Sequence, residues 1–369
     1  MSQSAAPPVR VVVVGAGHLG RYHLEKFHAH PQARLVGVVD TDPVARAQAM
    51  QRFGIRGSGC VADFAAQADA AVVATPTASH LAVGSACLHL GLHVLMEKPL
   101  AATAAQAQAL VQQAQALGRI LQVGHVERFN PAVVAALQVA QKPRYIVAER
   151  LGVFSGRSTE VDVVLDLMVH DLEIVAALTP AALSEVRAVG MAVMTQGIDM
   201  AAARLAFADG TVAQLSAGRT SLEASRKLRL FSDTCYVSVD CISRQVKCVR
   251  RVLTPEGGAG QLPGELSGGV ASGGGTADAV GSAGAASAVG AADLPAAAPQ
   301  RLLQISGETL EVPPGDPLAL QAAAFIEAVQ HRRRPRVDGA AGLRAVCLAE
   351  AVHAAMQAQG PQQGVAALA

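Results

Sequence analysis

The run Val9 to Val14, apolar apart from Arg10, enters Gly15-Ala16-Gly17-His18-Leu19-Gly20, and no other segment so narrows the folds open to this chain. A lone G-x-G-x-x-G is weak. Here a strand precedes it, a helix from about Arg21 to His28 follows, and a second strand, Arg34 to Val39, ends on Asp40. That is the context of a dinucleotide-binding βαβ unit. The glycines let backbone approach a pyrophosphate whose charge is stabilised by the helix N-terminus. The turn residues Gly15, Gly17, His18, Leu19 and Gly20 and the carboxylate of Asp40 are therefore the first candidate cofactor residues. Asp40 suits the adenosine ribose hydroxyls, and Asp42 beside it would repel a 2′-phosphate, so the expected cofactor is NAD. Arg46 is the residue that would favour NADP.

The alternation continues. Ala70 to Ala74 reads as a strand leading into Thr75-Pro76-Thr77, and Ser79 to Leu90 as a helix. His93 to Met96 is a short buried strand that stops on Glu97-Lys98-Pro99. Proline there keeps Lys98 out of the helical region and holds an ammonium group at the carboxyl edge of the sheet, where ligands of open α/β sheets sit. Thr103 suits the cap of a helix to Leu117, and Ile120 to Val123 is a further strand. The pattern predicts an α/β chain whose N-terminal part is a doubly wound parallel sheet. His18, His23, His28 and His30 resemble a metal cluster, but steps of five residues scatter side chains around a helix, so solvated or capping histidines are expected and no metal.

At 369 residues the chain is long enough for two domains. A net charge of +1 gives no field for nucleic acid or anionic membranes. Met1 to Arg10 has no apolar stretch for a signal peptide, and no segment reaches a membrane span. The six cysteines form no C-x-x-C pair and fit reduced thiols of a cytoplasmic protein better than a disulfide or zinc site. Residues 254–300, rich in Gly, Ala and Ser, lack Lys, Arg and any clear period, and are expected to be a disordered insertion. His331 to Arg334 reads as a basic helix end complementing the dipole.

In the second half, Val161 to Leu178 is helix-length and apolar except for Asp162, Asp166, His170, Asp171 and Glu173. Positions 162, 166 and 170 are four apart and share a face on an α-helix. A carboxylate one turn from a histidine orients the ring and raises its basicity, as a general base near neutral pH requires. Segments around 202–208 and 212–217, joined by Asp209-Gly210, predict a hairpin, and 228–231, 235–240 and 245–252 further strands. Pro317 to Gln330 and Ala340 to Met356 read as closing helices. The predicted C-terminal part is an α/β domain with a large open, mostly antiparallel sheet. The expected boundaries are 1–124 for the NAD-binding Rossmann domain and 125–369 for a substrate and oligomerisation domain.

Gly15 to Gly20, Ala74-Thr75-Pro76-Thr77-Ala78-Ser79-His80 and Glu97-Lys98-Pro99, in that order and spacing, resemble the glucose–fructose oxidoreductase/inositol dehydrogenase (Gfo/Idh/MocA) family over nearly the whole chain. The resemblance implies that Lys98, beside Glu97, reaches nicotinamide and substrate, and that Thr75, Pro76 and His80 lie along the cofactor. The family's Asp-x-x-x-His is similar to Asp166 and His170, with Lys98 completing a catalytic set. Gly124 to Pro131 and Asp162 to Asp171 look like the branch that oxidises UDP-N-acetylglucosamine at the sugar 3-hydroxyl, whose 3-oxo product feeds an aminotransferase toward a lipid A-type diamino sugar. Arg128, Arg150 and Arg157 would offer forked donors to a pyrophosphate. Asn130 would bind a sugar or amide, with Asp162 also facing substrate. A homo-oligomer is expected. Two other readings stay open: a dehydrogenase of inositol or another free sugar, and a non-catalytic NAD-binding regulatory protein.

Overall fold

The computed structural model describes residues 7–154, 156, 161–253 and 303–358, so the 254–300 stretch lies outside the described residues. The first half alternates strand and helix: β1 (Val9–Val14), α1 (His18–Ala29), β2 (Ala33–Val39), α2 (Pro43–Phe53) and β3 (Arg56–Ser58). It continues with β4 (Ala70–Val73), α3 (His80–His89), β5 (His93–Met96), α4 (Ala104–Ala116) and β6 (Leu121–Val123). The strands are parallel and ordered β3-β2-β1-β4-β5-β6. Strand order reverses between β1 and β4, which opens a crevice at their carboxyl ends, where Gly15 and Thr75 follow. The caps are local chemistry. Asp42 accepts from the Val44 amide with Pro43 at the first position of α2, and Thr103 accepts from Gln106 at the start of α4.

The second half contains α5 (Pro131–Val139), β7 (Tyr145–Leu151), α6 (Val169–Leu178), β8 (Leu183–Met191), β9 (Met200–Phe207) and β10 (Val212–Gly218). β11 (Ser225–Phe231), β12 (Cys235–Asp240), β13 (Gln245–Leu253), β14 (Leu303–Leu310), α7 (Pro317–His331) and α8 (Gly339–Ala358) follow. Its sheet has eight strands in the order β14-β13-β12-β11-β7-β10-β9-β8. The β9–β10 pair is the expected hairpin. β8–β9, β7–β11 and β11–β12 are also antiparallel, whereas β7 and β10 run parallel. Contacts gather the chain into a large unit, Met1–Val249 with Gly307–Ala369, and a small one, Arg250–Ser306.

The closing helices pack back on the first sheet. Ala322, Phe325 and Ile326 of α7 share a core with Phe27 of α1 and Val11 and Val13 of β1. The Phe27 and Phe325 rings meet edge to face at 6.4 Å. Truncating either of these fully buried rings to alanine costs about 3–5 kcal/mol. α8 packs against α4, α6 and β8, and Val337 accepts the Val123 amide, covering the edge of β6. Arg332, in the left-handed region at φ 52°, caps α7 at the predicted basic end.

One predicted element differs. Val161 to Leu178 is not a single α-helix: Asp162 accepts from the Val164 and Leu165 amides, and a π-helical stretch, Val164–Met168, precedes α6. The Asp166 amide still donates to the Asp162 carbonyl at 2.9 Å, so the four-residue spacing holds between these two, but their carboxylates take separate partners, Lys98 and His353. No disulfide joins the six cysteines, among the described residues no group of side chains could hold a metal ion, and none of their helices is long and apolar enough to cross a membrane.

Candidate active site

The crevice at the strand reversal is a cavity of about 600 Å³. Of the sequence candidates it is lined by Gly15, Gly17, Asp40, Thr75 and Pro76, joined by Thr41. Gly15 has φ +99°, and a Cβ there would clash with the Ala74 carbonyl, so only glycine serves. A Cβ on Gly20 would meet the Gly15 carbonyl, which lets α1 approach the turn closely. A Cβ on Gly17 would meet nothing within 4 Å, so space is left above that backbone. α1 starts without a side-chain cap and without an acidic residue in its first turn, so its positive end is unneutralised. His18 and Leu19 are exposed in that turn, with the His18 ring against Tyr22. These features fit a dinucleotide pyrophosphate.

Asp40 is anchored on both oxygens, which accept from the Ala16 amide at 2.6 Å and the Asp42 amide at 2.8 Å. Arg46 donates to the Asp40 carbonyl at 2.6 Å, so its guanidinium is tied to this backbone. His80 lies between the carbonyls of Pro99, 2.8 Å from Nδ1, and Thr75, 2.9 Å from Nε2. It thereby ties the lysine turn to the cavity wall.

Glu97 is buried. Its Oε1 lies 2.6 Å from His23 Nε2, and its Oε2 accepts the Lys98 amide at 3.1 Å. Burial pushes this carboxyl up, but the His23 hydrogen bond and charge and the Lys98 amide outweigh it and leave the pKa below the usual value. Gly124 packs on the carboxylate, where a Cβ would come to 3.0 Å. His23 corrects the expectation of a solvated or capping histidine: it is 1% exposed and part of the site's foundation. Its signal was the i, i+3, i+4, i+7 set Gly20, His23, Leu24 and Phe27, which forms the buried face of α1.

Lys98 Nζ donates to the Asp166 carbonyl at 2.6 Å and to its Oδ1 at 2.9 Å. Asp166 is thus joined to the lysine and not, as the α-helical spacing suggested, to His170. The His170 Nδ1 is buried without a partner, and burial first, then the Lys98 and Arg150 charges, hold its pKa well below the usual histidine value. α6 is fixed beside it by another route. Arg150 donates to both oxygens of Asp171, at 3.0 and 2.8 Å, and to Glu127 at 2.8 Å, all three being buried. Arg150 is therefore an internal clamp rather than a free phosphate fork.

The remaining candidates separate. Asn130 caps α5 through the Ala132 amide and donates to Glu127 and the Cys241 carbonyl, so its amide is fully engaged inside the protein. Asp162 caps the π-helical stretch and lies 2.9 Å from His353 Nε2. Arg128 reaches Glu173 at 3.4 Å. Arg157 lies outside the described residues. A residue missed from sequence is His125: fully buried, both ring nitrogens unpartnered, its ring edge-on to His170 at 6.0 Å. Burial, then the Lys98 charge, lowers it to about 3. No periodicity marks a histidine that follows a three-residue strand.

Residues 9–125 match the Gfo/Idh/MocA oxidoreductase family, described as an NAD-binding Rossmann fold. The chain is 33% identical over 351 residues to UDP-N-acetylglucosamine 3-dehydrogenase of Acidithiobacillus ferrooxidans, covering 95% of this chain and 98% of that protein. A solved structure of that A. ferrooxidans enzyme superposes with a TM-score of 0.77 at 31% identity, over 95% of this chain and 98% of that one. Inositol 2-dehydrogenase 1 of Saccharopolyspora erythraea is 40% identical over 134 residues, covering 34% of this chain and 39% of that protein. The apo scyllo-inositol dehydrogenase of Lactobacillus casei, with a TM-score of 0.71 and 16% identity over 96% of this chain and 98% of that one, shares the fold.

Proposed function

Since the chain belongs to the Gfo/Idh/MocA family and is an NAD-dependent dehydrogenase acting on a CH–OH group, we propose that it oxidises UDP-N-acetylglucosamine at the sugar 3-hydroxyl. One observation carries the choice of substrate. Sequence similarity to the S. erythraea inositol 2-dehydrogenase 1 covers 34% of the chain, whereas sequence similarity to the nucleotide-sugar enzyme covers 95% and so includes the half that follows Val123.

Bound NAD supplies the hydride acceptor. The proposed roles of the protein's groups follow from their surroundings. His170, held neutral by burial and by the Lys98 charge, accepts the hydroxyl proton at its imidazole. The Lys98 ammonium, fixed by Asp166, donates to the same oxygen as alkoxide charge develops. Glu97 and His23 hold the backbone of the lysine turn, and Arg150 with Asp171 holds the helix that carries His170. Gly15, Gly17, Asp40, Thr75 and Pro76 bind the dinucleotide, with Glu97 and His80 supporting them. In this reading residues 1–124 serve the cofactor and 125–369 the substrate and a homo-oligomer contact. The enzyme works in the cytoplasm, and the 3-oxo product passes to an aminotransferase toward a lipid A-type diamino sugar.

The test is NAD reduction with UDP-N-acetylglucosamine against inositol and free hexoses, with mass spectrometry of the product. Turnover with the nucleotide sugar and loss of two hydrogens from it support the assignment. Turnover with inositol and none with the nucleotide sugar refutes it.

A further inference from the structure

Along β6, the segment 332–340 frames two neighbouring cavities, and neither is lined by Lys98, Asp166 or His170. One, of about 230 Å³, is lined by Arg119, Arg332, Arg333 and Arg334. The other, of about 360 Å³, is lined by Arg128, Arg336 and Arg344, and shares Arg334, Asp338 and Ala340 with the first. Seven guanidiniums converge here in a chain whose formal net charge is only +1.

Their counter-charges are few. Arg334 pairs with Asp338, and Arg333 with the exposed Glu327. Arg344 donates to the carbonyls of Ala176, Thr179 and Ala181. Arg336 donates to the Arg128 carbonyl and lies over the Phe129 ring. Arg119 and Arg332 have no acidic partner among the described residues, and Arg119 Nε is buried without an acceptor. Their field reaches His93, which burial first, then Arg332 and Arg119, lowers to about 4. In the second cavity Glu173 is 1% exposed, and its Oε2 has no donor. A buried, unpartnered oxygen of this kind calls for a hydrogen-bond donor.

Like charges gathered in a concave space repel unless an anion joins them, and guanidinium forks match phosphate oxygens in pairs. The first residues of α8, Gly339 and Ala340, also line the first cavity and add the positive end of a helix of 20 residues. We propose that the paired cavities form a second site, separate from the dehydrogenase centre, for a phosphorylated small molecule. Its phosphate oxygens meet Arg119 and Arg332, and its hydroxyls lie toward Glu173.

Calorimetric titration of the full chain, saturated with NAD, with inorganic pyrophosphate tests this. Arg332→Gly suits the left-handed backbone at that position, and Arg119→Gln keeps a polar side chain; both variants should melt and turn over as wild type does. Saturable one-site binding is expected, weakened about tenfold by either substitution through loss of a charge-assisted contact, and unchanged by Lys98→Ala. Absence of saturable binding overturns the proposal. So does any pattern in which Arg332→Gly and Arg119→Gln bind pyrophosphate as wild type does, including one in which Lys98→Ala abolishes binding and places the ion in the catalytic cleft.

Discussion

Replacing Lys98 by alanine removes an ammonium that donates to the carbonyl and carboxylate of Asp166 from a position where the lysine side chain is 15% exposed. The Asp166 side chain, 28% exposed, regains water when its partner leaves, so the stability cost is about 1 kcal/mol or less. For a chain of this size that lowers the melting temperature by about 1–2 °C at most. The loss in the transition state is larger. A positioned cation beside a developing alkoxide in a half-buried site contributes about 3–4 kcal/mol, so kcat should fall by about 10²–10³. None of the NAD-cavity walls includes Lys98, so NAD affinity should stay within about threefold of wild type, less than 1 kcal/mol. Steady-state NAD reduction, a NAD titration and a thermal melt on one preparation separate the three quantities. Retention of kcat within tenfold, or a loss of folding or NAD affinity that matches the loss of rate, would refute the assignment.

Three further outcomes follow from individual contacts. Gly17→Ala, whose Cβ meets nothing in the protein, should leave the melting temperature unchanged and weaken NAD binding; equal affinity would show that the space above Gly17 is not where the cofactor lies. His23→Ala strands the Glu97 carboxylate in the interior and should cost about 3–5 kcal/mol in urea unfolding, with His23→Gln recovering part of it. Buried neutral His125, with a folded value of about 3 against 6.5 unfolded, means the unfolded chain binds more protons between those values. Stability should be fully present above about pH 6.5 and fall as pH drops toward 3, by at most about 5 kcal/mol from this group. His125→Asn should flatten that acid slope, and an unchanged slope across pH 4–7 would be the contrary result.

The cofactor half was legible because its determinants are local. Gly15, Gly17 and Gly20 are needed by backbone geometry at one turn, and Asp40 ends a strand whose length the apolar pattern sets. Even α2, absent from the sequence reading, carried its signal in the Asp42-Pro43 cap and in Gly54, at φ +64° after its last turn. The substrate half was less legible because its determinants are distant. A four-residue spacing brings Asp162, Asp166 and His170 close along the chain but does not say which partner each takes, and Asp166 goes to Lys98 while Asp162 goes to His353. Lys98 meets Asp166 across 68 positions, and Arg150 reaches Asp171 and Glu127 from another strand. Phe325 completing a core around Phe27 depends on the return of α7 to the first sheet, which no local pattern encodes.

UDP-N-acetylglucosamine carrying deuterium at sugar carbon 3 examines the proposed chemistry at the bond that breaks. The reduced nicotinamide should carry the label, and turnover should slow by a primary isotope effect under conditions where this step limits the rate. Reduced NAD without deuterium, or a 3-oxo product that forms with no transfer to NAD, would contradict oxidation at that carbon by the Lys98 and His170 centre.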